Sequence, residues 1–204
     1  MNVDSDLRGK IAKEAATLLF LGTEKEYKQA KLKAAKTLGA HFLPTNLEVA
    51  IELDKIAEAY EGPARKELLI QMRKEALKIM KTLRAYSPVL FGSVWRGTIR
   101  QGSDIDITAY HDIPNEILKF LTKNEVIIVK TEWITVTKRG KTETSFHIYC
   151  ETLGKQRIEI VVRSPEESRY KRKCEIFGDE LRGLGIYELK RVLNENPTQK
   201  FIPV

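Results

Sequence analysis

Phe91-Gly92-Ser93-Val94-Trp95-Arg96-Gly97-Thr98-Ile99-Arg100-Gln101-Gly102-Ser103-Asp104-Ile105-Asp106-Ile107-Thr108 is the stretch around which the chain is organised. It closes an apolar run, Val89 to Phe91, short enough to be one buried strand. Gly92 and Ser93 break that run; a glycine at a strand end admits dihedrals a side chain forbids and lets the backbone approach a ligand. With a helix beginning near Val94, its free N–H groups point back at Gly92 and Ser93, where a phosphate can sit. About ten residues on comes Ser103-Asp104-Ile105-Asp106-Ile107. On a strand, Asp104 and Asp106 share one face while Ile105 and Ile107 share the other. Two adjacent carboxylates repel, and a divalent cation with oxygen ligands relieves that repulsion.

Gly92-Ser93, a spacer holding Arg96-Gly97, and then Gly102-Ser103-Asp104-Ile105-Asp106 together resemble the signature of the polymerase-beta-like nucleotidyltransferase superfamily. A lone Gly-Ser or a lone Asp-x-Asp would be weak, whereas spacing, glycines and carboxylates here agree together. The pattern covers about a tenth of the chain. The resemblance implies an α+β fold, a mixed or antiparallel sheet with flanking helices, and transfer of a nucleoside monophosphate from a nucleoside triphosphate. It also implies Mg2+ as cofactor, two ions with Mn2+ as an alternative. Asp104 and Asp106 would be catalytic metal ligands, and Gly92, Ser93, Arg96 and Ser103 would bind nucleotide.

The rest of the composition is compatible with that class. A chain of 204 residues with 42% hydrophobic and 31% charged content can bury a proper core. No apolar run reaches membrane-span length, and Met1 to Asp6 lacks a signal-peptide pattern, so the expectation is a cytoplasmic protein without membrane contact. Cys150 and Cys174 stand apart, which suggests neither a disulfide framework nor a zinc site. His41, His111 and His147 show no ligand spacing and read as structural or exposed. A net charge of +7 suits polyanionic partners, or simply a charged soluble surface.

Along the chain, residues 1–62 read as an all-helical region and 63–204 as the nucleotidyltransferase domain, with a catalytic core at about 85–165. Helical spacing covers residues 5–20 and ends at Gly22; Thr23-Glu24-Lys25-Glu26 reads as a capping box for a second helix closed by Gly39. That helix carries Lys25, Lys28, Lys31, Lys33 and Lys36, a face for a phosphate backbone or for solvent. Pro44-Thr45-Asn46 caps a third helix to about Tyr60, and Glu61-Gly62-Pro63 stops it and starts a fourth. Leu69, Met72, Ala76, Ile79, Met80 and Leu83 give this fourth helix an apolar face for a sheet. A short helix begun by Ile113-Pro114-Asn115 and running to about Asn124 follows, then strands at 126–129 and 133–137, a turn at 138–141, and strands at 144–151 and 157–163. Arg169-Tyr170-Lys171-Arg172-Lys173 either lines a phosphate channel or forms a helix turn facing solvent. A last helix spans 186–193, and the tail from Asn196 is assigned no structure.

Glu159 completes the reading. It faces away from Ile158 and Ile160, as Asp104 and Asp106 face away from their isoleucines, so a shared core puts all three carboxylates on one face. In the superfamily this position usually carries aspartate; glutamate reaches one methylene further. Glu159 is thus the third catalytic and metal-holding residue, as ligand or as proton acceptor. Arg96 or Arg100 would offset charge on the leaving pyrophosphate. The acceptor stays open among an RNA or DNA end, a protein side chain and a small molecule, as does the oligomeric state. The alternatives are a weak or inactive nucleotide- or RNA-binding module of the same fold, and a partner-dependent subunit.

Overall fold

The computed structural model describes residues 3–124, 126–138, 140–152 and 154–203. Arg139, within the turn expected at 138–141, Leu153, between the strands expected at 144–151 and 157–163, and the first two residues of the N-terminal pattern lie outside the described residues. The chain divides into two compact units: Met1–Arg65 with Lys173–Glu180 and Ile202–Val204, and Lys66–Arg172 with Leu181–Phe201.

The first unit contains α1 (Val3–Phe20), α2 (Tyr27–Thr37) and the start of α3 (Asn46–Thr82). Its core is small: Ile11, Ala12, Ala15, Ala16 and Leu19 of α1 bury against Ala30, Ala34 and Ala35 of α2. Alanine on both faces lets helix backbones approach closely. The capping box expected at Thr23 does not form; α2 opens at Tyr27 with no side-chain cap. Residues 21–24 instead finish α1, with Gly22 at φ 70° and the Glu24 N–H donating to Leu18 O at 3.2 Å. A capping box does open α3, where Thr45 Oγ1 accepts from the Glu48 N–H and Glu48 Oε2 accepts from the Thr45 N–H. Lys25, Lys28, Lys33 and Lys36 are exposed and Lys31 half-buried, with Lys33 paired to Glu24 at 3.0 Å. Gly62, at φ 54° and ψ −141°, breaks α3 into two helical segments, and Pro63 starts the second.

In the second unit, five strands form one sheet in the order β1-β2-β5-β4-β3, where β1 is Val89–Phe91, β2 Ile105–Tyr110, β3 Ile127–Lys138, β4 Lys141–Glu151 and β5 Arg157–Arg163. Only β2 and β5 run parallel. The sheet expected as two segments before residue 138 is a single edge strand, β3, because it keeps its ladder with β4 through the polar Lys130-Thr131-Glu132, with one irregularity between Ile128 and Lys130. One face of the sheet presents Ile105, Ile107, Ala109, Ile148, Ile158 and Ile160, all buried. It shares a core with Leu69, Met72, Ala76, Met80 and Leu83 of α3 and with Ile117 and Leu121 of α5 (Pro114–Lys123). Period-two strands against a period-3.6 helix thus make a mixed α+β domain.

One expectation is corrected here. Arg169 closes a turn of 3-10 helix, Pro165–Arg169, and residues 170–172 continue without helix, so the basic run is not a helical solvent face. Residues 196–203 carry no helix or strand, as expected, yet they are held: the Phe201 N–H donates to Arg96 O at 2.9 Å, and Arg73 donates to Pro197 O and Gln199 O, both at 2.8 Å. No described helix is long and apolar enough to cross a membrane.

Candidate active site

The site is built where β1 meets β2. Phe91, the last residue of β1, is the register partner of Asp106, and Gly92 opens α4 (Gly92–Arg96) directly beyond it. Gly92 has φ 66°, and a Cβ placed on it would stand 1.7 Å from Asp106 Oδ2. The Asp106 carboxylate therefore occupies the space a side chain would take, and only glycine permits that approach. Ser93, half-buried, sits one residue further, and its carbonyl accepts from the Thr98 N–H at 3.0 Å, which closes α4. Gly92→Ala is expected to cost roughly 2–4 kcal/mol in urea unfolding, from the clash and the positive φ together. Gly102→Ala is the control, because Gly102 shares the positive φ (81°) but its Cβ would meet nothing closer than 3.9 Å.

Asp104 ends the loop before β2, and Ser103 makes the turn that delivers it: its Oγ accepts from the Arg100 N–H at 3.0 Å, and its own N–H donates to Arg100 O at 2.9 Å. Arg157, at the start of β5, stands with Nε 2.7 Å from Asp104 Oδ1 and donates from Nη2 to Gly102 O at 2.6 Å. The contact with Asp104 is an ion pair off the N–H axis, and it leaves Oδ1 buried with no hydrogen-bond donor.

Glu159 is the register partner of Asp106 across the parallel β2–β5 pair, so the two carboxylates stand on adjacent strands of one face. Its Oε1 lies 2.6 Å from His147 Nδ1, and His147 Nε2 lies 2.8 Å from Ser145 Oγ. Tyr149, opposite Glu159 on β4, is pushed well above the usual phenol range by burial and by its hydrogen bonds to Glu132 and Glu159. His147 was expected to be structural or exposed, and Tyr149 was given no role. The signal was present, because both alternate with Phe146, Ile148 and Cys150 and so had to share Glu159's side of the sheet.

Burial raises Asp106 to about 7, with Glu159 and then Asp104 adding repulsion. Burial also raises Asp104, against the pull of Arg157. A site whose carboxylates resist ionisation although Arg157 already stands beside Asp104 is short of positive charge. Oxygen-only donors suit a hard cation such as Mg2+ or Mn2+, so the residues present fit the expected metal. Among the described residues no three His, Cys, Asp or Glu side chains form a ready-made metal cluster. Arg157 holds Asp104, and His147 holds Glu159.

Arg96 does not join the site. Its side chain is buried, stacks over Trp95 at 4.1 Å and donates from Nη1 to Phe201 O at 2.8 Å. This expectation is corrected: the arginine of the spacer holds the C-terminal segment. The Ser103 hydroxyl accepts one hydrogen bond within its own turn and keeps its O–H as a donor.

The family model for the nucleotidyltransferase domain matches residues 73–177, over half of the 204-residue chain, and the chain belongs to that family. Among solved structures it is similar to the Cid1 poly(U) polymerase bound to MgGTP, at 16% identity and a TM-score of 0.32 over 55% of this chain and 38% of that one. It is also similar to a cytoplasmic RNA terminal U-transferase, at 16% identity and a TM-score of 0.28 over 58% and 34%. The chain thus spans little more than a third of those proteins, and no argument about substrate rests on them. No curated protein matches the chain.

Proposed function

We propose that this protein transfers a nucleoside monophosphate from a nucleoside triphosphate to an acceptor hydroxyl. The observation that carries the reading is Asp106 seated over the bare Cα of Gly92 and beside Glu159 in strand register. Backbone N–H groups at Gly92 and Ser93, with the Ser93 hydroxyl, hold the β- and γ-phosphates. Asp104 and Asp106 hold Mg2+, or Mn2+, which when bound neutralises triphosphate charge and acidifies the attacking hydroxyl. The acceptor oxygen forms a bond to the α-phosphorus, the bond from that phosphorus to the β-phosphate bridge breaks, and pyrophosphate leaves. The hydroxyl proton passes to the Glu159 carboxylate, which His147 keeps oriented at 2.6 Å. Positioning and electrostatics do most of the work, as in phosphoryl transfer generally.

The test is incubation with each α-labelled nucleoside triphosphate, Mg2+ and an extract of RNA and protein, beside the Asp104→Asn/Asp106→Asn double variant. Label entering an acceptor with the wild-type protein alone supports transfer. Carboxylate-dependent nucleotide binding without transfer would assign a binding module instead; the ties of Asp104 to Arg157 and Glu159 to His147 are the observations that favour this second reading. Ser93→Ala is expected to weaken triphosphate binding by about threefold to tenfold, the worth of one hydrogen bond, while leaving the metal requirement unchanged. Equal affinity in a titration would remove Ser93 from the phosphate site.

A further inference from the structure

A cavity of about 380 Å³ opens on the carboxylate face of the sheet. Its floor runs from Asp106 through Thr108 to Tyr110 on β2, beside Phe91 and Val89 on β1, and neither Gly92 nor Ser93 lines it. The cavity therefore leads away from the expected triphosphate site, with Asp106 between the two. A group held there reaches Asp106 from the side away from Gly92 and Ser93, the side an in-line displacement leaves to the acceptor.

The walls say what that group is. Phe91, Tyr110 and Tyr170 give the cavity aromatic surface, and Tyr170 is 62% exposed with its ring free to take a planar partner. Of the lining arginines, Arg163 and Arg172 are both held by Glu167. Arg182, exposed, has no carboxylate partner among the described residues, so it remains for an anion. The volume lies at the small end of the roughly 300–1,000 Å³ of small-molecule sites. It admits one nucleoside-sized group; a nucleic-acid duplex does not enter it, and a serine or tyrosine side chain leaves most of it empty.

We propose that this cavity is the acceptor pocket and that the acceptor is a phosphorylated nucleoside, stacked on aromatic surface with its phosphate toward Arg182 and its hydroxyl toward Asp106. The inference rests on the transfer reading for its role and on the cavity alone for its binding. Two sources share this chemistry, a free nucleotide and the 3′ end of a single strand.

The test measures binding of AMP, and separately of a short 5′-labelled oligoribonucleotide, with no triphosphate and no divalent cation present. The expected result is binding of at least one of them, weakened about tenfold by Tyr170→Ala, the loss of one stacked base, and by Arg182→Glu. Binding of AMP identifies a free nucleotide; binding of the oligonucleotide alone identifies a chain end. In the transfer assay the same variants raise the acceptor KM by a similar factor while the KM for triphosphate holds. Absence of binding by either probe, or unchanged affinity in both variants, overturns the pocket. Because the binding arm needs no chemistry, a protein that binds AMP but transfers nothing refutes the transfer reading and leaves the pocket standing. Transfer with an unchanged acceptor KM in both variants does the reverse.

Discussion

Asp106→Asn is expected to abolish the proposed nucleotidyl transfer, by a factor on the order of a thousand or more, and at the same time to make the metal-free protein more stable at pH 8. The loss follows from the geometry, because Asp106 is the carboxylate that faces Glu159 across the β2–β5 pair and borders both Gly92 and the acceptor cavity. The gain follows from its environment. Burial first, then Glu159 and Asp104, raise Asp106 from 3.8 to about 7. A carboxyl whose pKa is raised on folding stabilises the native state while it is protonated, so this contribution is complete below about pH 3.8 and is lost as the pH rises through about 7. The ionised group thus costs the metal-free protein on the order of 4 kcal/mol at pH 8, and the isosteric amide removes that cost. For a chain of this size that corresponds to roughly 8–16 °C in Tm.

Thermal unfolding at pH 5 and pH 8, with and without Mg2+, checks each part. Wild-type protein should lose stability between pH 5 and pH 8 without metal and regain it with Mg2+, since a ligand that binds only the folded state stabilises it. Asp106→Asn should show a flatter pH profile and no response to Mg2+. A wild-type response to Mg2+ that survives in the variant would move the metal elsewhere.

This part of the site was legible because it depends on local rules. Gly92 is needed wherever a carboxylate lies on the backbone, and the alternation of Ile158-Glu159-Ile160 fixes a face whatever the neighbours are. What escaped the sequence was pairing at a distance. Nothing local shows that β5 runs parallel beside β2, so Arg157 could not be placed against Asp104. Arg96 misled for a related reason: it lies within the motif, yet its guanidinium is claimed by a carbonyl 105 residues away. Thr23 misled locally, because a capping pattern three residues past a helix end can be consumed by that helix's own C-terminal turn.

Arg73→Ala is expected to cost about 4 kcal/mol, the scale of losing a buried charged hub with several hydrogen bonds. Arg73 is fully buried on α3, and burial lowers its pKa to about 10. Its Nε donates to Val94 O at 3.0 Å, Nη2 to Trp95 O at 2.9 Å and Gln199 O at 2.8 Å, and Nη1 to Pro197 O at 2.8 Å. One guanidinium therefore ties α4, the helix that carries Ser93, to the C-terminal segment, and a compact ammonium cannot serve four carbonyls in that fork geometry. Arg73→Lys should consequently recover less than half of the loss in urea unfolding. It also provides a folded sample should the alanine variant fail to fold. Deleting residues 197–204 removes the acceptors of two of the four bonds, so its cost and that of Arg73→Lys should sum to more than the double variant loses. Additive losses would mean that the segment and the arginine act separately. A shared loss accompanied by weaker triphosphate binding would show that the C-terminal segment helps to hold the helix carrying Gly92 and Ser93 in place.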